Sequence, residues 1–126
     1  MHIERIDHLV QAVSDVDAMV EFYVRVLGMQ SVTFGSSRRA LAFGQQNINL
    51  HPADDPYPPH AAQPIPGSAD LCLITSTPMP EAITHLNQQG VLIEQGPVER
   101  TGATGPLLSV YFRDPEGNLI EVSNSL

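Results

Sequence analysis

The segment RIDHLVQAV alternates apolar and polar positions and is rich in branched side chains, which predicts a strand over Ile6–Val13. The period then lengthens. Met19, Phe22, Tyr23, Val26 and Leu27 recur at helical spacing, with Ser14 and Asp17 forming an approximate capping box at the start. Gly28 ends this helix as the residue beyond its C-cap. Short runs around Gln30–Phe34, Arg39–Phe43 and Asn47–His51 predict three further strands. The stretch from His51 to Gly67 then holds six prolines and reads as an irregular linker.

The same order follows a second time. SADLCLITS predicts a strand, and Thr77 with Pro78 opens a helix in the cap-then-proline order. Ala82, Ile83 and Leu86 give that helix its apolar face, and Gly90 ends it. VLIEQG reads as a strand, RTGATGP as a glycine-rich loop and LLSVYFR as a strand. DPEGN is a turn in which Pro115 presets φ and Gly117 accepts φ > 0. LIEVSN closes the series. The expectation is α+β: two βαβββ modules, eight strands and two helices, with His8 and Asp70 at matching places on the two opening strands. Residues 1–126 form one domain, with module one at 3–51, the linker at 52–66 and module two at 67–124.

Composition removes several alternatives. At 42% hydrophobic and 16% charged residues the chain is too apolar for disorder, and no apolar run reaches membrane-spanning length. Six basic against fourteen acidic residues argue against nucleic acid, whose phosphates need clustered cations. The start, MHIERIDHLV, lacks the basic-then-apolar pattern of a secretory signal. Cys72 is the single cysteine, so no internal disulfide forms, which fits the reducing cytoplasm.

The repeated order, together with RIDHLV, FYVRVLGM, FGQQNINLH, PGSADLCLIT, GPVERTGATGP and YFRDPEGNLIEVSN, resembles the vicinal oxygen chelate superfamily. That superfamily takes in glyoxalase I, bleomycin-binding proteins, fosfomycin-resistance proteins and extradiol dioxygenases. Within it the likeness is to the glyoxalase-domain-containing protein five subgroup and its bacterial relatives. The resemblance implies that each module curls into half a cup and that two modules close around a divalent metal. Ligands then come from the first and last strands of the modules. His8 matches the first-strand position and Glu121 the last strand of the second module. Asp70 stands where many relatives have histidine, and is a fourth ligand or a carboxylate orienting an imidazole. Asn49 and His51, on one strand face, compete for the remaining place.

Two histidines and a carboxylate suit a first-row divalent ion (Fe, Mn, Ni, Co or Zn) and leave positions open for substrate. On that ground His51 is preferred as third ligand. Its bland alternative is a strand-end histidine held protonated by the acidic ADD loop. His8 alone reads as an inert strand-start histidine, and Glu121 alone as a rim carboxylate. His2, His60 and His85 have weak claims as terminal, linker and mid-helix residues. Arg100 beside TGATG is a candidate for binding a substrate anion, or part of a flexible loop. Ser109 and Tyr111 share a strand face and can donate hydrogen bonds to substrate, while Val110 and Phe112 pack beneath. Cys72 reads as a buried apolar filler.

Three functions follow from the resemblance. The first is a metal-dependent enzyme, a glyoxalase-like lyase or isomerase with Glu121 as catalytic base, or a dioxygenase. The second is a metal-free binding protein of the bleomycin-resistance type. The third, a fosfomycin-type thiol transferase, is disfavoured by Val10 where that branch has threonine and by the lack of an arginine-bearing tail. All three take a small molecule and none a membrane or nucleic acid. Small modules and a stiff linker favour a homodimer, with His8 of one subunit meeting Glu121 of the other.

Overall fold

The structure, a computed structural model, describes all 126 residues. They divide into two compact units, Met1–Gly67 and Ser68–Leu126. Each unit is a βαβββ module with one four-stranded mixed sheet, as the two periodicities predict.

In the first unit β1 (His8–Val13) leads into α1 (Val16–Leu27), followed by β2 (Gln30–Phe34), β3 (Arg38–Phe43) and β4 (Gln46–Pro52). The helix is capped by Asp15, not Ser14: the Asp15 carboxylate accepts from the Ala18 backbone N–H at 3.0 Å. Aspartate one position later reaches the third N–H of the helix, and its charge suits the positive end of the helix dipole. Gly28 closes the helix at φ 67°, as expected. The strand order is β1-β4-β3-β2, with β1 and β4 parallel and the others antiparallel. Met19, Phe22, Tyr23 and Val26 on the helix are buried, as are Val13, Leu41, Ile48 and Leu50 on the strands. Because side chains alternate across a strand, this burial assigns the opposite face to His8, Val10, Asn47, Asn49 and His51.

The second unit contains β5 (Asp70–Ile74), α2 (Met79–Gln88), β6 (Gln95–Thr101), β7 (Pro106–Arg113) and β8 (Leu119–Ser125). Its order, β5-β8-β7-β6, repeats the first, again with one parallel pair. Thr77 does not cap α2. Pro78 takes the N-cap position without a side-chain bond, and the Thr77 N–H is turned back onto the Thr75 hydroxyl. The buried side of α2 is Met79, Ala82 and Leu86, with Ile83 half-buried. Val110, Phe112, Ile120 and Val122 are buried on the sheet face beneath. Residues 91–94, expected in a strand, precede β6, which instead runs through Arg100 and Thr101. A register shift between Gln95 and Val98 marks a bulge against β7. Neither helix is long and apolar enough to cross a membrane.

Candidate functional site

On the open face of the first sheet, β1 and β4 run in a fixed parallel register: His8 lies beside Asn47, Val10 beside Asn49 and Ala12 beside His51. His51 therefore stands four residues further along than His8, roughly 13 Å at the usual rise per residue. Side chains standing upright from the sheet do not bring two such imidazoles to one ion. The register thus does not bring together His8 and His51, the pair preferred from the sequence. In the second sheet Asp70 lies beside Leu119 and Cys72 beside Glu121. Superposing His8 on Asp70 by the repeat places Asn49, not His51, at the position of Glu121.

His8 is about half exposed, and its Nδ1 lies 2.9 Å from the Asp7 carboxylate. That contact holds Asp7 below the usual carboxylate range, with the Arg5 charge adding to it. It also fixes the ring so that Nε2 is left for another partner. The Asn49 Oδ1 is buried without a hydrogen-bond partner. His51 belongs to a different group: its ring meets Tyr57 edge-on at 4.9 Å, and the Arg38 guanidinium lies 4.3 Å above the same tyrosine. Burial, then the charges of Arg38 and His60, push the His51 pKa below its ordinary value. This runs against the bland alternative, in which the ADD loop holds the ring protonated.

This has a consequence for stability. An imidazole that resists protonation when folded takes up its proton first in the unfolded chain. Its contribution is therefore present above the unfolded pKa of about 6.5 and lost as pH falls from there toward the lower folded value. Urea unfolding at pH 7.5 and 5.5 should show this loss in the wild type and a smaller one in His51→Gln. An equal loss in both would assign the dependence elsewhere.

In the second sheet one row across the strands runs Cys72, Glu121, Tyr111. Ser109 and Tyr111 lie on the face that carries Glu121, and Ser109 pairs with Ser123. The Ser109 and Ser123 hydroxyls are 2.7 Å apart, and Ser123 donates to Glu121 Oε1 at 3.4 Å. Arg100 is a strand residue, not a loop residue. Its Nε donates to the Tyr111 hydroxyl at 3.0 Å, which leaves that tyrosine's own O–H available as a donor. Asp70 is exposed at the edge of this face, two residues from Cys72.

Cys72 is exposed and not the buried filler expected. In LCL the leucines take the inner face and the sulfur the outer, 3.4 Å from the Ser123 hydroxyl. Partial burial of the sulfur and the nearby Glu121 charge push the thiol pKa up, against the Ser123 bond. It is no activated nucleophile. No three His, Cys, Asp or Glu side chains of the chain come together as a ready metal cluster.

The sequence profile of the Glyoxalase/Bleomycin resistance protein/Dioxygenase superfamily matches residues 5–122. The chain belongs to this superfamily. Virulence protein STM3117 of Salmonella typhimurium is 55% identical over 123 residues, 98% of this chain and 85% of that protein. Its crystal structure superposes with a TM-score of 0.99, covering 100% of both chains. Glyoxalase domain-containing protein RDO1 of Mycosarcoma maydis is 47% identical, over 98% of this chain and 70% of that protein. An integron cassette protein from the mobile metagenome of V. cholerae matches at 52% identity and a TM-score of 0.96, over 98% of this chain and 97% of that one.

For this superfamily member, sequence reasoning passed over four residues that shape the two faces. Asp7 and Ser123 were within reach, one adjacent to His8 and the other two positions after Glu121 on the same strand face. Arg38 could have been placed by alternation with Ala40 and Ala42. Tyr57, in the proline linker, carries no local signal.

Proposed function

We propose that this chain is a metal-dependent enzyme of the glyoxalase–dioxygenase kind, acting on a small substrate that presents two oxygens to the ion. The observation that carries this reading is the Asp7–His8 pair, a carboxylate orienting an imidazole whose other nitrogen is left for a metal. His8 and Glu121 are the ligands, supplied by one chain or by two. The orphaned Asn49 Oδ1 is the third donor in place of His51. One nitrogen and several oxygens fit a divalent ion such as Fe, Mn, Ni, Co or Zn. When bound, the ion would polarise a substrate carbonyl and stabilise developing negative charge.

The chain's own residues do the rest. Glu121 accepts a proton from the carbon beside that carbonyl, with the Ser123 hydroxyl fixing the lone pair that Oε1 uses. Arg100 and the Tyr111 hydroxyl hold an anionic or carbonyl oxygen of the substrate, and Ser109 holds Ser123 in place. Asp70 supports the ion from the edge. The RDO1 name and the matching segments support placement in the glyoxalase-domain-containing subgroup, and the single cysteine supports a cytoplasmic location.

The test is metal content of protein purified without chelator or affinity tag. About one divalent ion per site is expected. Absence of any metal, with tight binding of a small molecule, would instead establish the binding-protein reading, which the neutral amide of Asn49 at a ligand position favours. We further propose a homodimer with shared sites. Mixing His8→Ala chains with Glu121→Ala chains should then restore one intact site per heterodimer. Dimers without restored uptake would place each site within one chain.

A further inference from the structure

We infer that the open face of the first sheet carries an anion-binding site built from Arg38, Tyr57 and His51, which takes a carboxylate, phosphate or phosphonate group borne on an apolar body. The chain has no lysine, and its six basic residues are all arginine among fourteen acidic ones. Four have carboxylate partners: Arg5 with Asp7, Arg25 with Glu21, Arg39 with Asp17 and Arg113 with Glu94. In so acidic a chain a partner is the ordinary outcome. Arg38 and Arg100 have none, and each is propped on a tyrosine.

Arg38 and its neighbour Arg39 show the contrast most directly. Alternation sends them to opposite faces of β3. Arg39 is tied to Asp17 and to the Ser31 hydroxyl at 3.0 Å, on the helix side. Arg38 lies exposed on the open face, its guanidinium 4.3 Å from the Tyr57 ring centroid. Stacking of this kind fixes the plane of the guanidinium and leaves its N–H fork free for two oxygens.

The same tyrosine ring also positions His51, whose Nδ1 is buried with no hydrogen-bond partner. A buried polar atom left unpaired is uncommon and calls for a partner. Register brings these groups into one row. Phe34 pairs with Arg38, and continuing the Arg39–Leu50 pairing by one residue sets Arg38 opposite His51. Phe34 is itself an exposed apolar residue, at 40%. The row therefore offers a fixed cationic fork, an unpaired imidazole nitrogen and two aromatic walls, which complements an organic anion and not a cation. The site lies wholly within Met1–Gly67 and needs no metal, so it stands or falls apart from the proposed activity.

The six arginine Nε–H signals of ¹⁵N-labelled protein can be assigned from single variants and followed in chelator-treated samples. Phenylphosphonate should shift the Arg38 signal saturably, and more tightly than inorganic phosphate, whose lack of a ring forfeits the walls. Arg38→Gln should weaken binding about tenfold or more, as loss of a charge-assisted pair implies. Tyr57→Leu should weaken it through loss of the guanidinium's support while keeping the charge. The inference is overturned if the Arg38 signal does not move, if only Arg100 responds, or if both variants bind phenylphosphonate as tightly as the wild type.

Discussion

Glu121→Ala protein should lose stoichiometric metal and, with it, about 10² to 10⁴ of any turnover, the range a positioned acid–base group contributes. Glu121 is doubly placed in this reading, as a ligand and as the proton acceptor, so no other carboxylate on its sheet face substitutes for it. Asp70 is on the face but two residues away along β5, beside Leu119 and not beside Glu121. His8→Ala should abolish tight uptake equally. Asp7→Asn should weaken metal binding by about ten- to a hundredfold, the usual cost of removing the group behind a ligating imidazole. His51→Ala should leave uptake unchanged, because the β1–β4 register sets it four residues from His8. The face residues are not in the core, so stability should stay within about 0.5 kcal/mol of wild type in each case. Equilibrium dialysis with the metal, beside urea unfolding, reads both quantities. Metal retained in both the His8 and Glu121 variants would defeat the assignment, and metal lost in His51→Ala would restore the set first expected from sequence.

The separation of His51 from His8 shows where sequence reading stops. The eight strands and two helices are visible because periods of two and 3.6 are local properties. Strand starts and ends follow from glycines and prolines in the chain, and the boundaries of β2, β3 and β4 fall within a residue or so of those expected. Register is different. Whether Asn49 or His51 comes level with Glu121's counterpart depends on the offset between two parallel strands separated by a helix and two further strands, and no local pattern encodes it. Arg100 lies in a strand for a related reason: β6 stays paired with β7 as far as Thr101 opposite Pro106, and the bulge adds the last of these residues. Cys72 is the opposite case. The alternation in LCL places it on the outer face, against its small apolar character, which favours burial. The caps of both helices differ by one residue: in α1 the Asp15 carboxylate reaches the Ala18 N–H, whereas in α2 Pro78 takes the position with no side-chain bond, and spacing alone resolves neither.

Asp114→Ala should be the most damaging substitution outside the hydrophobic core, at about 3 to 4 kcal/mol. DPEGN reads as a turn from Pro115 and Gly117, and Gly117 does adopt φ 87°. What holds the turn is the aspartate, which is only 5% exposed. Its Oδ1 accepts from the backbone N–H of Glu116 at 2.9 Å and of Asn118 at 3.0 Å, and its Oδ2 from the Asn118 side-chain amide at 2.7 Å. Asn118, 2% exposed, passes the constraint on by accepting the Ala69 N–H at 2.9 Å through its own oxygen. Ala69 directly precedes Asp70, and its carbonyl accepts from Leu119 N–H at 3.1 Å. The bracket thus sets the β7–β8 turn and the start of β5 together, which fixes the register that brings Cys72 beside Glu121. Alanine at 114 removes the acceptor of two buried donors and one part-buried donor at once, whereas Asn118→Ala removes one donor from the carboxylate and frees Ala69, for a loss of about 2 to 3 kcal/mol. Asp114→Asn keeps one acceptor oxygen but sets an amide donor against that of Asn118, so it should fall between wild type and alanine. Urea unfolding of the three variants gives the order, and hydrogen exchange at Ala69 and Leu119 should accelerate in Asn118→Ala more than at β6. A loss below about 1 kcal/mol for Asp114→Ala, the value of a single ordinary hydrogen bond, would show that the turn stands on proline and glycine alone.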